Sequence, residues 1–179
     1  MKKLLLLISL IVSSAVFAQG DSSTHTRLPT PDHVDVARYI GKWYAIESLP
    51  QFFTRKCVAQ SAEYDIINDK TISVHNVCYK KDGSTKDING QAVVKDETTN
   101  ARLEVTFNSF WTRLFRVKGE YVIIKLSEGY DTVMVGSTNR KSLWIMSRTP
   151  SIDPETLKDY KDFAAQLGFD TSKFITSKF

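Results

Sequence analysis

The sequence predicts an all-β protein: an eight-stranded antiparallel up-and-down β-barrel with one C-terminal α-helix packed outside. Three observations lead there. Short runs rich in β-branched and aromatic residues follow one another from Lys42 to Ser147, separated by turn-forming clusters such as "KKDGS" at Lys80 and "SEGYD" at Ser127. No helical pattern interrupts the series, so neighbouring runs are joined by hairpins and the sheet is antiparallel. Within the runs apolar and polar residues alternate, which buries one face, and closing the sheet removes the two edges that a sandwich would leave open.

Before the strands come two short segments of this 179-residue chain. Residues 1–18, "MKKLLLLISLIVSSAVFA", hold two lysines, an apolar run too short to span a bilayer comfortably, and small residues ahead of an expected cleavage after Ala18. That is the pattern of a secretory signal peptide. Residues 19–34 read as a polar lead and residues 35–179 as the folded domain. No cysteine stands at the cleavage position. The expectation is therefore an exported protein without a lipid-anchor cysteine, periplasmic in a bacterium and otherwise secreted. Losing Lys2 and Lys3 with the leader lowers the formal charge from +4 to +2, too little to favour nucleic acid as a partner.

Strands are expected over residues 42–49, 58–67, 71–79, 87–95, 101–107, 121–126, 132–136 and 142–147. The run from Ala101 sets Ala101, Leu103, Val105 and Phe107 on one face and Arg102, Glu104 and Thr106 on the other. The same reading turns Ile88, Gly90, Ala92 and Val94 inward, with Val58, Ala62, Tyr64 and Ile66, and with Ile72, Val74 and Asn76. Several inward positions are small, and a barrel of eight strands either fills its interior with side chains or holds one small ligand. A helix follows the last strand. Asp153 is placed to cap it, Pro154 fits its first position, Ile152 can staple onto Leu157, and Gly168 stops it. Leu157, Tyr160, Ala164 and Leu167 form its apolar stripe, which packs on the barrel's outer wall.

Residues that carry chemistry are few. His25, His33 and His75 have no ligand spacing, and no phosphate-cradling glycine loop or nucleophile elbow occurs. Nothing points to an enzyme, a metal or a cofactor. Cys57 and Cys78 are an even pair in an exported chain and flank the hairpin that turns near Asn68, so a disulfide is expected. Their strand parities conflict, Cys57 outward and Cys78 inward. A β-bulge, or a strand starting after Cys57, would reconcile them.

The stretch "YIGKWYAIESLP" from Tyr39 places Gly41 and Trp43 at the start of the first strand, an odd place for a glycine and a tryptophan. "YDTVMVG" follows from Tyr130, then "LWIMSRTP" from Leu143, with Arg148 ending the last barrel strand. In order and spacing these resemble the three signatures of the lipocalin family, over about residues 35–179. The likeness is greatest to its bacterial and apolipoprotein D members, to which "GFDTSKF" at Gly168 is also similar. The second signature departs from the usual Thr-Asp-Tyr order, since Tyr130 precedes Asp131.

The resemblance implies that Gly41 turns the chain at a closed floor, that Trp43 plugs it, and that Arg148 lies across the indole. It also implies a small hydrophobic ligand inside the cup, a fatty acid or lysophospholipid in this branch, bound for transport, storage or membrane lipid maintenance. The expected lining is Tyr64, Val74, Asn76, Ala92, Leu103, Val105, Phe107, Val122, Ile124, Val133, Trp144 and Met146. Glu47 shares parity with Trp43 and Ala45, so it faces either the cavity or the rim. Two alternatives stand beside the carrier: an enzyme of the same fold that uses a cavity cysteine, and a protein-binding module with a collapsed interior. Tracing the meander puts basic and aromatic loops at the open end. There Phe52, Phe53, Trp111, Arg113, Phe115 and Arg116 are expected to touch an anionic membrane surface, while the closed-end turns hold Asp69, Asp96, Glu97, Glu128 and Asp131.

Overall fold

Nine strands form a single antiparallel sheet in a computed structural model that describes residues 27–108 and 118–179. They are β1 (Gly41–Ser48), β2 (Cys57–Asn68), β3 (Thr71–Lys80), β4 (Thr85–Val94), β5 (Arg102–Phe107), β6 (Lys118–Leu126), β7 (Thr132–Gly136), β8 (Leu143–Ser147) and β9 (Ile175–Thr176). Each of β2 to β7 pairs with the next, β8 pairs with β1, and β1 pairs back onto β2, so the barrel closes. Eight of these strands are the expected ones. The ninth is an addition, as is a short N-terminal helix, α1 (Val36–Tyr39), capped by the Asp35 carboxylate, which accepts from Ala37 N at 2.9 Å.

β9 completes the seam at the mouth. Residues 41–45 of β1 pair with β2, whereas Glu47 and Ser48 pair with β9. Ser177 N donates to Ile46 O at 2.9 Å and Lys178 N to Val58 O at 2.8 Å, so the C-terminal segment bridges the two strands where they part. The Phe179 ring then rests against Tyr44 and Tyr79 on the outer face.

The C-terminal helix, α2 (Pro154–Gln166), forms as its punctuation predicts: Asp153 accepts from Thr156 N at 2.9 Å, and Gly168 adopts φ +83° just past the end. Tyr160 and Ala164 bury its stripe against Val122, Ile124, Met134, Leu143 and Ile145, and Tyr160 Oη donates to Thr132 O. Leu28, from the lead segment, joins this outer cluster.

That packing corrects two of the expected lining residues. Val122 and Ile124 face outward beneath α2, while Tyr121 and Ile123 face the interior. The cause is a bulge. Ile123 pairs with Val135 and Lys125 with Met134, leaving one extra residue in β6, which flips every side chain on one side of it. Glu47 is corrected for the same reason. A bulge between Ala45 and Glu47 turns its carboxylate outward, where it is buried and accepts from Thr176 Oγ1 at 3.0 Å and Lys161 Nζ at 3.3 Å.

A third bulge, at Val58, does what the cysteine parities require. Cys57 lies opposite Lys80 rather than Lys81, on the same face as Cys78, and the two form a disulfide with Cα atoms 5.2 Å apart. A bridge closing a loop of this length contributes on the order of 3 kcal/mol, chiefly by restricting the unfolded chain. It also consumes both thiols of the chain, so the cysteine on which the enzymatic alternative depends is not free.

Candidate ligand-binding site

The floor of the barrel is built around Trp43, which is fully buried. Its indole Nε1 donates to Tyr39 O at 2.9 Å, and the Arg148 guanidinium lies 3.8 Å above its ring. Arg148 is itself fixed by four carbonyls: Nε donates to Tyr130 O, Nη1 to Lys42 O, and Nη2 to Arg38 O and Tyr39 O, at 2.8–3.1 Å. A planar, five-donor cation suits this job, whereas a lysine could not span these acceptors. Burial lowers the Arg148 pKa from its ordinary value, and the nearby Tyr39 and Tyr64 oppose that shift. Gly41 begins the strand at φ +91°, a left-handed conformation that favours glycine. The transposed second signature has its place here too. Tyr130, at φ +60°, offers its carbonyl to Arg148, accepts Asp35 N at its hydroxyl, and stacks under Arg38.

Above the floor stand three tyrosines. Tyr121 Oη lies 2.6 Å from Tyr39 Oη and 3.1 Å from Tyr64 Oη, so it is the hub of a hydroxyl chain. Tyr39 and Tyr64 stack with centroids 5.9 Å apart, and Tyr121 meets Tyr64 edge-on. Burial pushes Tyr64 up to about 12 and holds Tyr39 and Tyr121 well above the ordinary tyrosine value. Tyr160, on the buried face of α2, is raised as well, again by burial first.

The sign follows from linkage. The folded chain keeps protons that the unfolded chain releases above about pH 10, so the stability these groups supply is intact below that pH and lost as pH rises through 12. Absorbance titration at 295 nm should therefore show Tyr39, Tyr64, Tyr121 and Tyr160 lagging among the seven tyrosines, ionising together as the barrel unfolds. All seven titrating near pH 10 in a folded protein would contradict the buried chain.

The wall is apolar. Val74, Ala92, Leu103, Val105, Val133 and Met146 point inward and are buried with Ile72, Val94, Ile123 and Val135 in one cluster around the floor. Phe107 and Trp144 pack on this cluster but are only partly buried, as is Asn76, so accessible space borders the wall above a sealed base. Ten of the twelve expected lining residues therefore face inward, all but Val122 and Ile124. Asn76 Oδ1 is buried without a hydrogen-bond partner among the described residues. Not every small inward residue leaves space: a Cβ on Gly90 would stand 2.9 Å from Phe107 Cδ1, so that glycine makes room for a ring.

Sequence reasoning missed Tyr39, Tyr121, Ile123 and Val135. Val135 was within reach by counting two from Val133. Tyr39 carried a signal in the N-cap aspartate four residues before it. Tyr121 and Ile123 lay behind the β6 bulge.

At the mouth, Phe52 and Phe53 are 80% and 72% exposed on a short 3-10 turn, with the Arg55 guanidinium 4.1 Å from the Phe52 ring. The other mouth residues, Trp111, Arg113, Phe115 and Arg116, lie outside the described residues. An open groove of about 440 Å³ runs outside the floor between His33, Asp35, Ile66, Asn68, Asp69 and Asn100. Val36, Ala37 and Ile66 complete its lining, which mixes polar and apolar groups and lies outside the barrel wall.

A family model described as a lipocalin-like domain matches residues 34–178. The chain belongs to the lipocalin family. The outer membrane lipoprotein Blc of Vibrio cholerae is 33% identical over 144 residues, covering 79% of this chain and 80% of that protein. Blc of Escherichia coli K12 is 33% identical over 156 residues, covering 82% and 84%. Apolipoprotein D of Oryctolagus cuniculus is 30% identical over 183 residues, covering 97% and 94%. Among solved structures, insecticyanin of the tobacco hornworm Manduca sexta shares this lipocalin's fold with a TM-score of 0.66 at 20% identity, over 85% of this chain and 84% of that one.

These relatives correct one expectation. The leader reading, of an exported lipocalin that is periplasmic or secreted and has no lipid-anchor cysteine, is at odds with homologues that are outer membrane lipoproteins by name. The physical reason is that a leader's charge and hydropathy speak for export and carry no information about where the chain is then held.

Proposed function

We propose that this lipocalin binds a fatty acid or lysophospholipid in its barrel, the acyl chain along the inner wall and the polar head at the mouth. Family membership supports binding and transport of a small hydrophobic ligand. One observation carries the finer reading: a sealed floor under an apolar inner wall whose upper members, Asn76, Phe107 and Trp144, remain accessible. Each methylene taken out of water gains about 0.8 kcal/mol, so a long chain reaches micromolar affinity after association costs. Titrating delipidated protein with a long-chain fatty acid and with a lysophospholipid, following tryptophan fluorescence, should give saturable one-to-one binding. Linear, non-saturating signals for both would reject the reading.

The exposed Phe52 and Phe53, with Arg55 beside them, fit a mouth that rests on anionic membrane while the ligand passes. Aromatics settle at the interface, and each basic residue near it adds about 1 kcal/mol, screened by salt. Replacing both phenylalanines with serine should weaken co-sedimentation with anionic vesicles several-fold while leaving fatty-acid affinity in solution unchanged. Unaltered vesicle binding would remove the docking role from this turn.

A further inference from the structure

The three tyrosines carry more hydrogen-bonding capacity than they use. Each hydroxyl has one proton to donate. Three hydroxyls joined by two bonds spend two protons, whichever way the chain runs, and leave one. No other acceptor reaches Tyr39, Tyr64 or Tyr121 Oη among the described residues. The spare donor sits low in the barrel, since Tyr39 precedes β1 at the floor and Tyr64 pairs with Gly41. On the same inner surface, Asn76 Oδ1 is an acceptor without a partner. A buried polar group left unpaired costs about 1–3 kcal/mol, so an interior meant only for a hydrocarbon tail would carry valine or phenylalanine at these places.

We propose that the deep end of the bound ligand is not a methyl group but a neutral oxygen, a hydroxyl or carbonyl on the far end of an acyl chain, which accepts the spare tyrosine proton. The class is an oxygenated fatty acyl compound, and the inference rests on the lipid-carrier reading given above. Orientation follows from charge. Arg148, the cation packed on the floor's tryptophan, is committed to four backbone carbonyls and the Trp43 ring. A carboxylate driven down to the floor would lose its hydration without gaining an ion pair. At the rim, Lys80 lies opposite Cys57 and Lys86 opposite Cys78, so basic residues flank the place where an anionic head would stay. The far end is thus the one that meets the tyrosines. An oxygen there takes up a proton that a methyl group would strand.

The test is a series of saturated fatty acids of increasing length, each measured with and without a terminal hydroxyl, on the full delipidated protein. An ordinary apolar pocket penalises the added hydroxyl about tenfold or more. Here the hydroxylated acid whose tip reaches the tyrosines should bind at least about fivefold more tightly than its plain counterpart. The combined Tyr39→Phe, Tyr64→Phe, Tyr121→Phe variant keeps the rings and removes all three hydroxyls, and it should reverse the preference. Tyr121→Phe alone removes the hub and leaves Tyr39 and Tyr64 each with a proton to donate, so it should keep the preference. A wild-type preference for the plain acid at every length would overturn the inference while leaving the carrier reading intact, and that comparison needs no variant. A preference that survives in the triple variant would overturn it as well. Failure of every acid to bind would overturn the inference, and failure of a lysophospholipid as well would overturn the carrier reading with it.

Discussion

Trp43→Ala should destabilise the barrel by about 3–5 kcal/mol, the range for deleting a fully buried tryptophan. At this chain length that lowers the thermal midpoint by roughly 10 °C or more. The loss exceeds the missing contacts of the ring itself. Without the indole, Arg148 loses its stacking partner, and Tyr39 loses both the Nε1 donor to its carbonyl and the ring 5.3 Å away. Arg148→Lys is the milder companion: it keeps the charge but cannot reach Tyr130, Lys42, Arg38 and Tyr39 carbonyls together, and should cost about 2 kcal/mol. Chemical denaturation of both variants checks the order. A Trp43→Ala protein as stable as wild type would mean that the floor does not hold the barrel shut.

Ala92→Trp should abolish ligand binding while the far-UV spectrum stays that of a β-barrel. Ala92 lies low on the wall, opposite Ile72 and Val105, and its side chain faces the interior. An indole there fills space that the deep part of an acyl chain would occupy. Loss of several methylenes' worth of burial, at about 0.8 kcal/mol each, weakens binding by at least a hundredfold. The same titration on wild type and variant provides the check. Undiminished affinity in a folded Ala92→Trp protein would place the ligand somewhere other than the inner wall.

How far the sequence could be read was decided by where its strands bulge. Alternation located the inner face of β3, β4, β5, β7 and β8 correctly, because each of these runs pairs without a register shift among its own lining positions. Every parity error falls beside an inserted residue. The bulge after Ala45 turned Glu47 outward, the one at Val58 turned Cys57 inward, and the one in β6 exchanged Val122 and Ile124 for Tyr121 and Ile123. In β6 the residues offered no warning, since Val122, Ile123 and Ile124 are all apolar: one face serves the cup and the other serves α2. The floor was legible from three signatures, yet the tyrosines above it were not, because Tyr39 stands outside any strand and Tyr121 behind a bulge. β9 is two residues long and pairs only where β1 leaves β2, which no local pattern announces.

The ligand position proposed above is that of an acyl chain along the inner wall. Its most direct test is photolabelling of the delipidated protein with a fatty acid carrying a diazirine along its chain, followed by peptide mapping of the adducts. Adducts should fall on inward residues, among them Val74, Leu103, Val105, Trp144 and Met146, and should disappear when unlabelled fatty acid competes. Adducts concentrated on the outer face beneath α2, or in the groove between His33, Ile66 and Asn100, would contradict it.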